Sequence, residues 1–308
     1  MRDVLLVVQK GDHSLGYYDF ETGTELARVA VDPYPHEFAL SADRRMAYLA
    51  HFGVALAEHG GPGGNTVSVV AIASFRRIGT IDCGTYRRPR DVSFDESGRL
   101  YILSGGQSTL LIVPDPLTGK ITQRIATGGH KSHILSVTQD GGVVFSSNME
   151  SNSVSALFPN TPHHPPVAIP VGSHPEGSVF DGEEERLYVA NRESAEISVI
   201  DVQRMKMVDT IPTPPGPVRI CRNKRQLFIA LYHGCGLLMP DLDNSTRQQV
   251  VPLPAKAISV SIHAARRRAL LSTLAQNVCL VDTDSGRLVR TFSARSDPDP
   301  TAVVSLQM

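Results

Sequence analysis

Residues 187–201 read LYVANRESAEISVID: an apolar run, a short polar hairpin, and a second apolar run closed by an acid. Both runs are short and rich in β-branched residues with period-two character. That predicts two antiparallel strands and not a helix. A hairpin of this size cannot bury its own apolar faces. Here the same phrase recurs about seven times, so each unit can be covered by its neighbours.

The turn that opens each phrase sets the period. Pro35, Pro89, Ser132, Pro175, Pro217, Ala257 and Pro300 are spaced by roughly 54, 43, 43, 42, 40 and 43 residues, the range of a four-stranded propeller blade. A first strand is predicted at FALS (38–41), VSFD (92–95), ILSV (134–137) and GSVF (177–180). Second strands follow at MAYLAH, LYILSG, VVFSSN, LYVANR, LFIALY and ALLSTL, and third strands at VSVVAI, LLIVPD, SVSALF, ISVIDV, GLLMPD and VCLVDT. The fourth is a Thr, Ile or Val alternation such as residues 207–211. Residues 4–31 supply three strands with no first strand before them, and TAVVSL at 301–306 is a first strand with nothing after it. Joining the two closes a ring and removes the exposed sheet edge. The expected fold is all-β: a single seven-bladed β-propeller over residues 1–308, with four-stranded antiparallel blades and a terminal blade shared by the two ends of the chain.

Composition agrees with a single folded domain. With 41% hydrophobic residues, 20% charged residues and a net charge of -1, a disordered chain is excluded, and there is no electrostatic case for nucleic acid or an anionic membrane. No apolar run approaches about 18 residues and no charged-then-apolar leader follows Arg2, so a cytoplasmic location is expected. Cys83, Cys221, Cys235 and Cys279 are scattered without metal-type spacing, which points to reduced thiols. The basic runs at 76–77, 87–88 and 266–268 come from different blades and read as solvated strand ends.

LYVAN at 187–191, with ISVID at 197–201 and TIP at 210–212, resembles the YVTN repeat of seven-bladed propellers, the group that includes YncE-like proteins. Weaker copies are AYLA (47–50) with NTVSV (65–69), and VFSSN (144–148) with SVS (153–155). The wider set of similar propellers includes lactonases of the 6-phosphogluconolactonase and carboxymuconate types and virginiamycin B lyase. The resemblance implies a fold, and a shared fold does not select a reaction.

The histidines discriminate where the fold does not. Aligning the first strands places His36, Arg90, His133, Glu176, Val218, Ile258 and Thr301 at one equivalent position, the residue after the turn, facing the central channel. Four consecutive blades then present ionisable side chains there. His51, His130, His174, Asn148, Asn191 and His233 are expected on the same face, where turns begin or second strands end. Imidazole and carboxylate together suit Mn, Fe, Zn or Ni. The expectation is a divalent metal ion held by ligands among His36, His51, His133, His174 and Glu176. Glu176, His133 and Arg90 would carry the chemistry. Arg90, His130, Asn148, Asn191 and His233 would bind a small polar metabolite, with Arg90 anchoring a carboxylate or phosphate. The Gly-rich insertion at 52–65 reads as a functional loop, a lid or a binding loop, that can hinge or pack flat over a ligand.

Two function classes follow. One is a metal-dependent small-molecule enzyme performing lactone hydrolysis, elimination or isomerisation. The alternative is a non-catalytic YVTN propeller that serves as a protein- or peptide-binding scaffold. No nucleophile elbow or nucleotide fingerprint is present, which disfavours serine hydrolase and nicotinamide chemistry.

Overall fold

The computed structural model describes residues 1–56, 58–240, 242 and 248–307. Asp241, expected to end the third strand GLLMPD, and Ala57 of the Gly-rich insertion lie outside the described residues. The strands form seven four-stranded antiparallel sheets arranged as the blades of a propeller. From the channel outwards, blade I consists of Pro298–Leu306, Arg2–Gln9, Ser14–Asp19 and Glu25–Ala30. Blades II to VII then begin with innermost strands Pro35–Leu40, Pro89–Phe94, Ser132–Val137, Pro175–Phe180, Pro217–Asn223 and Ser261–His263, each followed by three strands in chain order.

Burial within a blade follows from its place in the ring. Second and third strands are covered on both faces by adjacent blades, so LYILS at Leu100–Ser104 and TLLIV at Thr109–Val113 are buried throughout. The outermost strand meets neighbours only in part, and Lys206–Pro212 buries Ile211 alone. Each core cluster therefore joins two sheets: Ala190 and Ile197 of blade V pack with Ile220, Leu227 and Ile229 of blade VI.

Closure depends on the last strand. It pairs antiparallel with Arg2–Gln9, with Val4 opposite Val304 and Leu6 opposite Ala302, and Val304 and Leu306 join the cluster built on Val4 and Leu6. The pairing also corrects the phase read from sequence for this blade. Pro298, not Pro300, lies opposite Gln9, as Pro35 lies opposite His51 and Pro175 opposite Asn191. Asp299 therefore occupies the position expected for Thr301, and five consecutive blades, not four, present ionisable groups to the channel mouth.

Deleting residues 298–308 would leave the strand Arg2–Gln9 without its channel-side partner and expose the faces of Val4 and Leu6. The truncated chain is expected to lose its single cooperative melting transition in calorimetry and to aggregate. A transition matching the full chain would contradict closure by this strand.

Candidate functional site at the channel mouth

One backbone hydrogen bond, repeated in every blade, defines the mouth. The amides of Lys10, Phe52, Gly105, Met149, Arg192, Tyr232 and Leu274 donate to the carbonyls of Asp297, Tyr34, Arg88, Lys131, His174, Gly216 and Lys256 respectively. It joins the residue after each second strand to the residue before each turn. Tyr34, Arg88, Lys131, His174 and Asp297 are all left-handed, with φ of 50, 56, 57, 60 and 55°. Each costs about 1 kcal/mol in a non-glycine residue, a strain that the surrounding sheet holds in place. The kink turns the chain sharply into the first strand and aims the next side chains at the axis.

Two concentric rings result. The inner ring is His36, Arg90, His133, Glu176, Val218, Ile258 and Asp299; the outer ring is the seven amide donors just named. All of them except Gly105 line one cavity of about 490 Å³. A bulge beside the turn, present in blades I to VI, brings a second consecutive residue towards the channel, Glu37 in blade II and Arg219 in blade VI.

Arg219 crosses the channel. Its Nη2 donates to Glu37 Oε1 at 2.7 Å and its Nη1 to Glu176 Oε2 at 3.2 Å, while Glu176 Oε1 accepts from Arg192 at 2.6 Å. Burial opposes the charge on Arg219, but Glu37 and Glu176 outweigh it and hold the proton more tightly than usual. Asp91 accepts the amides of Val92 at 2.8 Å and Leu135 at 2.7 Å, and burial followed by the Glu37 charge pushes it up to about 7. On the other flank Lys10 Nζ lies 2.9 Å from Asp299 Oδ2.

The histidines are neutral. Burial, then the charge of Arg90, holds both His36 and His133 well below the ordinary imidazole value, and burial with Arg192 lowers His174. Arg90 contacts His133 Nε2; a guanidinium can only donate, so His133 carries its proton on Nδ1. Burial and Arg219 pull Arg90 down to about 10, and it remains a cation at neutral pH. Five buried polar atoms around this cavity lack hydrogen-bond partners: His36 Nδ1, Arg90 Nε, His133 Nδ1, His174 Nε2 and Asp299 Oδ1. Orphaned buried groups are costly, and their convergence on one cavity marks a polar ligand site.

The expected site residues separate into groups. His36, Arg90, His133, His174 and Glu176 come together at this cavity. His51, Asn148 and Asn191 do not, because they end second strands facing into their own blades. His51 Nε2 bonds Ser68 Oγ at 2.8 Å, Asn148 Nδ2 donates to Ser155 Oγ at 2.8 Å, and Asn191 Nδ2 to Ser198 Oγ at 2.8 Å. His130 is exposed on a neighbouring cavity of about 620 Å³ that shares Phe52, Arg90 and His133 with the first. His233 is exposed and stacks edge-on against Tyr232, outside the cavity lining. Sequence reasoning passed over Glu37, Asp299, Arg219, Arg192 and Lys10. Of these, Asp299 carries a usable signal, since Ser296-Asp297-Pro298-Asp299 parallels Ser173-His174-Pro175-Glu176.

Within the Gly-rich insertion, Ala55, Leu56 and Glu58 line the cavity. The segment is tied to blade III, where Arg88 Nη2 donates to the carbonyls of His59 at 2.8 Å and Gly61 at 2.9 Å. Its base needs glycine: Gly53 has φ of 78°, and a Cβ there would collide with the backbone of Gly64.

His36, Glu37 and Asp299 also offer ligand atoms within 4.8 Å of one another. His36 Nδ1 and Asp299 Oδ1 are among the unpartnered atoms, and Glu37 Oε1 lies 3.6 Å from His36 Nδ1. One imidazole and two carboxylates form a donor set that fits Mn, Fe or Zn.

No protein-family model matches the chain, and no curated protein sequence is similar to it. Solved structures do match. A periplasmic gluconolactonase from Pseudomonas aeruginosa superposes with a TM-score of 0.80 at 15% identity, covering 99% of each chain. A putative 6-phosphogluconolactonase from Bacteroides uniformis gives 0.77 at 13% identity over 99% of this chain and 100% of that one. Hydrazine synthase from Kuenenia stuttgartiensis gives 0.77 at 15% identity over 91% and 92%. At such identities the matches establish the seven-bladed propeller and nothing finer.

Two outcomes follow from the electrostatics. Arg219→Met strands Glu37 and Glu176 without their shared cation and should cost about 3–5 kcal/mol in urea denaturation. A loss under about 1 kcal/mol would contradict a channel-spanning role. The second concerns pH. Below the ordinary imidazole value of 6.5, the unfolded chain protonates at His36, His51 and His133 while the folded chain keeps them neutral, in the case of His51 down to about 4. The unfolded state binds more protons there, so stability falls as pH falls. Asp91 opposes this, holding a proton up to about 7 in the folded state. The melting temperature should therefore drop on acidification from about pH 7 to about pH 5, and more steeply in Asp91→Asn. A flat profile in both proteins would contradict the burial of neutral imidazoles.

Proposed function

We propose that this propeller is a hydrolase of small lactones or closely related cyclic esters, acting at the channel mouth. The observation that carries this reading is the convergence of the five unpartnered atoms of His36, Arg90, His133, His174 and Asp299 on one cavity. Three belong to neutral imidazoles, one to a cation and one to a carboxylate. This is the mixture that ester hydrolysis needs: donors for a developing oxyanion and a lone pair for the proton of water. The gluconolactonase and the putative 6-phosphogluconolactonase among the structural neighbours support the same class. Membership of the YVTN group belongs to the proposal, resting on the repeat motif alone.

In this reading Arg90 Nε–H and His133 Nδ1–H donate to the carbonyl oxygen of the lactone. Water adds to the carbonyl carbon as a neutral imidazole, His174 or His36, accepts its proton. The ring C–O bond then breaks and that proton passes to the departing alkoxide, so one lactone and one water give one hydroxy acid. Arg192 and Arg219 are positioned by Glu176, which is engaged by both and therefore orients them and leaves base chemistry to the histidines. A divalent cation held by His36, Glu37 and Asp299 would supply Lewis-acid polarisation when bound.

The test is hydrolysis of a panel of γ- and δ-lactones followed by acid release, with chelator and with added Mn, Zn or Fe. At least one lactone should be turned over, and Arg90→Met should lower kcat/KM on it by about 100-fold. Stoichiometric metal, where found, should be lost in Asp299→Asn. An absence of turnover with every lactone and metal, or an Arg90→Met variant as active as the parent, would remove this reading.

A further inference from the structure

The cavity has two chemically distinct sides. Blades I to V contribute Asp299, His36, Arg90, His133 and Glu176 to the inner ring, whereas blades VI and VII contribute Val218 and Ile258. In the outer ring, blades VI and VII present Tyr232 and Leu274, blades II and IV present Phe52 and Met149, and the charged members are Lys10 and Arg192 of blades I and V. Ile258, Tyr232 and Leu274 thus form an apolar flank on the side of blades VI and VII, next to the guanidinium of Arg219 and over the buried Val218. Lys256 Nζ sits 4.7 Å over the Tyr232 ring, fixing that residue at the edge of the flank.

The exposure of large apolar residues at this cavity is selective. Most of the other large exposed apolar residues among those described, such as Ile78, Met207, Val208, Val250, Leu288 and Val289, lie on outermost strands. Leu274 at 47% and Leu56 of the Gly-rich segment at 58% instead open onto this cavity. Apolar side chains kept solvent-accessible in a concave site commonly mark where an apolar ligand group is buried.

We infer that the ligand is amphiphilic: a lactone or carboxylate head turned towards Arg90 and His133, with an aliphatic substituent lying on Ile258, Tyr232 and Leu274 beneath Leu56. This deepens the hydrolase reading and rests on it for the identity of the head group. It predicts preference for alkyl-substituted lactones over polyhydroxylated ones, whose hydroxyls would lose their water against this flank without gaining partners.

The experiment separates the two claims. Straight-chain alkanoates from acetate to octanoate are titrated calorimetrically into the full chain, and γ-lactones from γ-butyrolactone to γ-octalactone are assayed for hydrolysis. Alkanoate affinity should climb about threefold per added methylene and level off once the chain leaves the flank. In Leu274→Ser, which alters a residue at the cavity rim and leaves the buried core untouched, the slope should flatten while acetate binding and the melting temperature stay as in the parent. Leu56→Ser should flatten it less. Alkanoate binding that is absent or independent of chain length, or a slope that survives in both variants, overturns the inference. Lactone hydrolysis with no chain-length preference sustains the hydrolase reading and overturns the amphiphilic one. A chain-length slope in binding without turnover of any lactone does the reverse.

Discussion

Closure of the ring by one antiparallel pairing, the last strand against Arg2–Gln9, is the constraint on which the rest of the structure depends. It joins the two ends of the chain and covers Val4 and Leu6. It also fixes the phase of the seventh innermost strand, and with it the position of Asp299. In a closed ring every blade must meet two neighbours, so the turn geometry repeats with the same hydrogen bond and largely the same left-handed residue. Repetition of the backbone makes the blades equivalent; substitution at the repeated position makes them chemically different. The site is the pattern of those differences.

Charge at the mouth is balanced within a small buried volume. Arg219 bridges Glu37 and Glu176, Arg192 takes the second oxygen of Glu176, and Lys10 holds Asp299. Such pairing is weak evidence for stability, since desolvation consumes much of the Coulombic gain. Its consequence for the site is orientation. With the carboxylates and most cations engaged with each other, the groups left unsatisfied are the neutral imidazoles, the Arg90 Nε and one oxygen of Asp299. Such groups gain a partner when a polar ligand reaches them.

The repeat was readable in the sequence because β-branched runs and turn residues recur at a near-constant interval, and the blade count followed directly. The phase of the last blade was harder, because Pro298 and Pro300 both suit a turn and only strand pairing separates them. Glu37 and Arg219 are not legible from the one aligned position per blade, since a bulge beside the turn puts two consecutive residues on the channel side. His51, Asn148 and Asn191 were assigned to the open face because they end strands beside it. Their partners Ser68, Ser155 and Ser198 on the third strands hold them inside the blade. Parity along a strand decides which way such a residue points, and it is set by register that composition does not reveal.

The central claim is that the imidazoles of His36, His133 and His174 face a ligand at the channel mouth. It is tested most directly by following the histidine ring resonances by NMR as a γ-hydroxy acid, the product of lactone opening, is added, with assignments from single His→Gln variants. The account predicts that the resonances of His36, His133 and His174 move together and saturate, while those of His51 and His233 stay in place. Saturable binding that leaves the first three unchanged would contradict it.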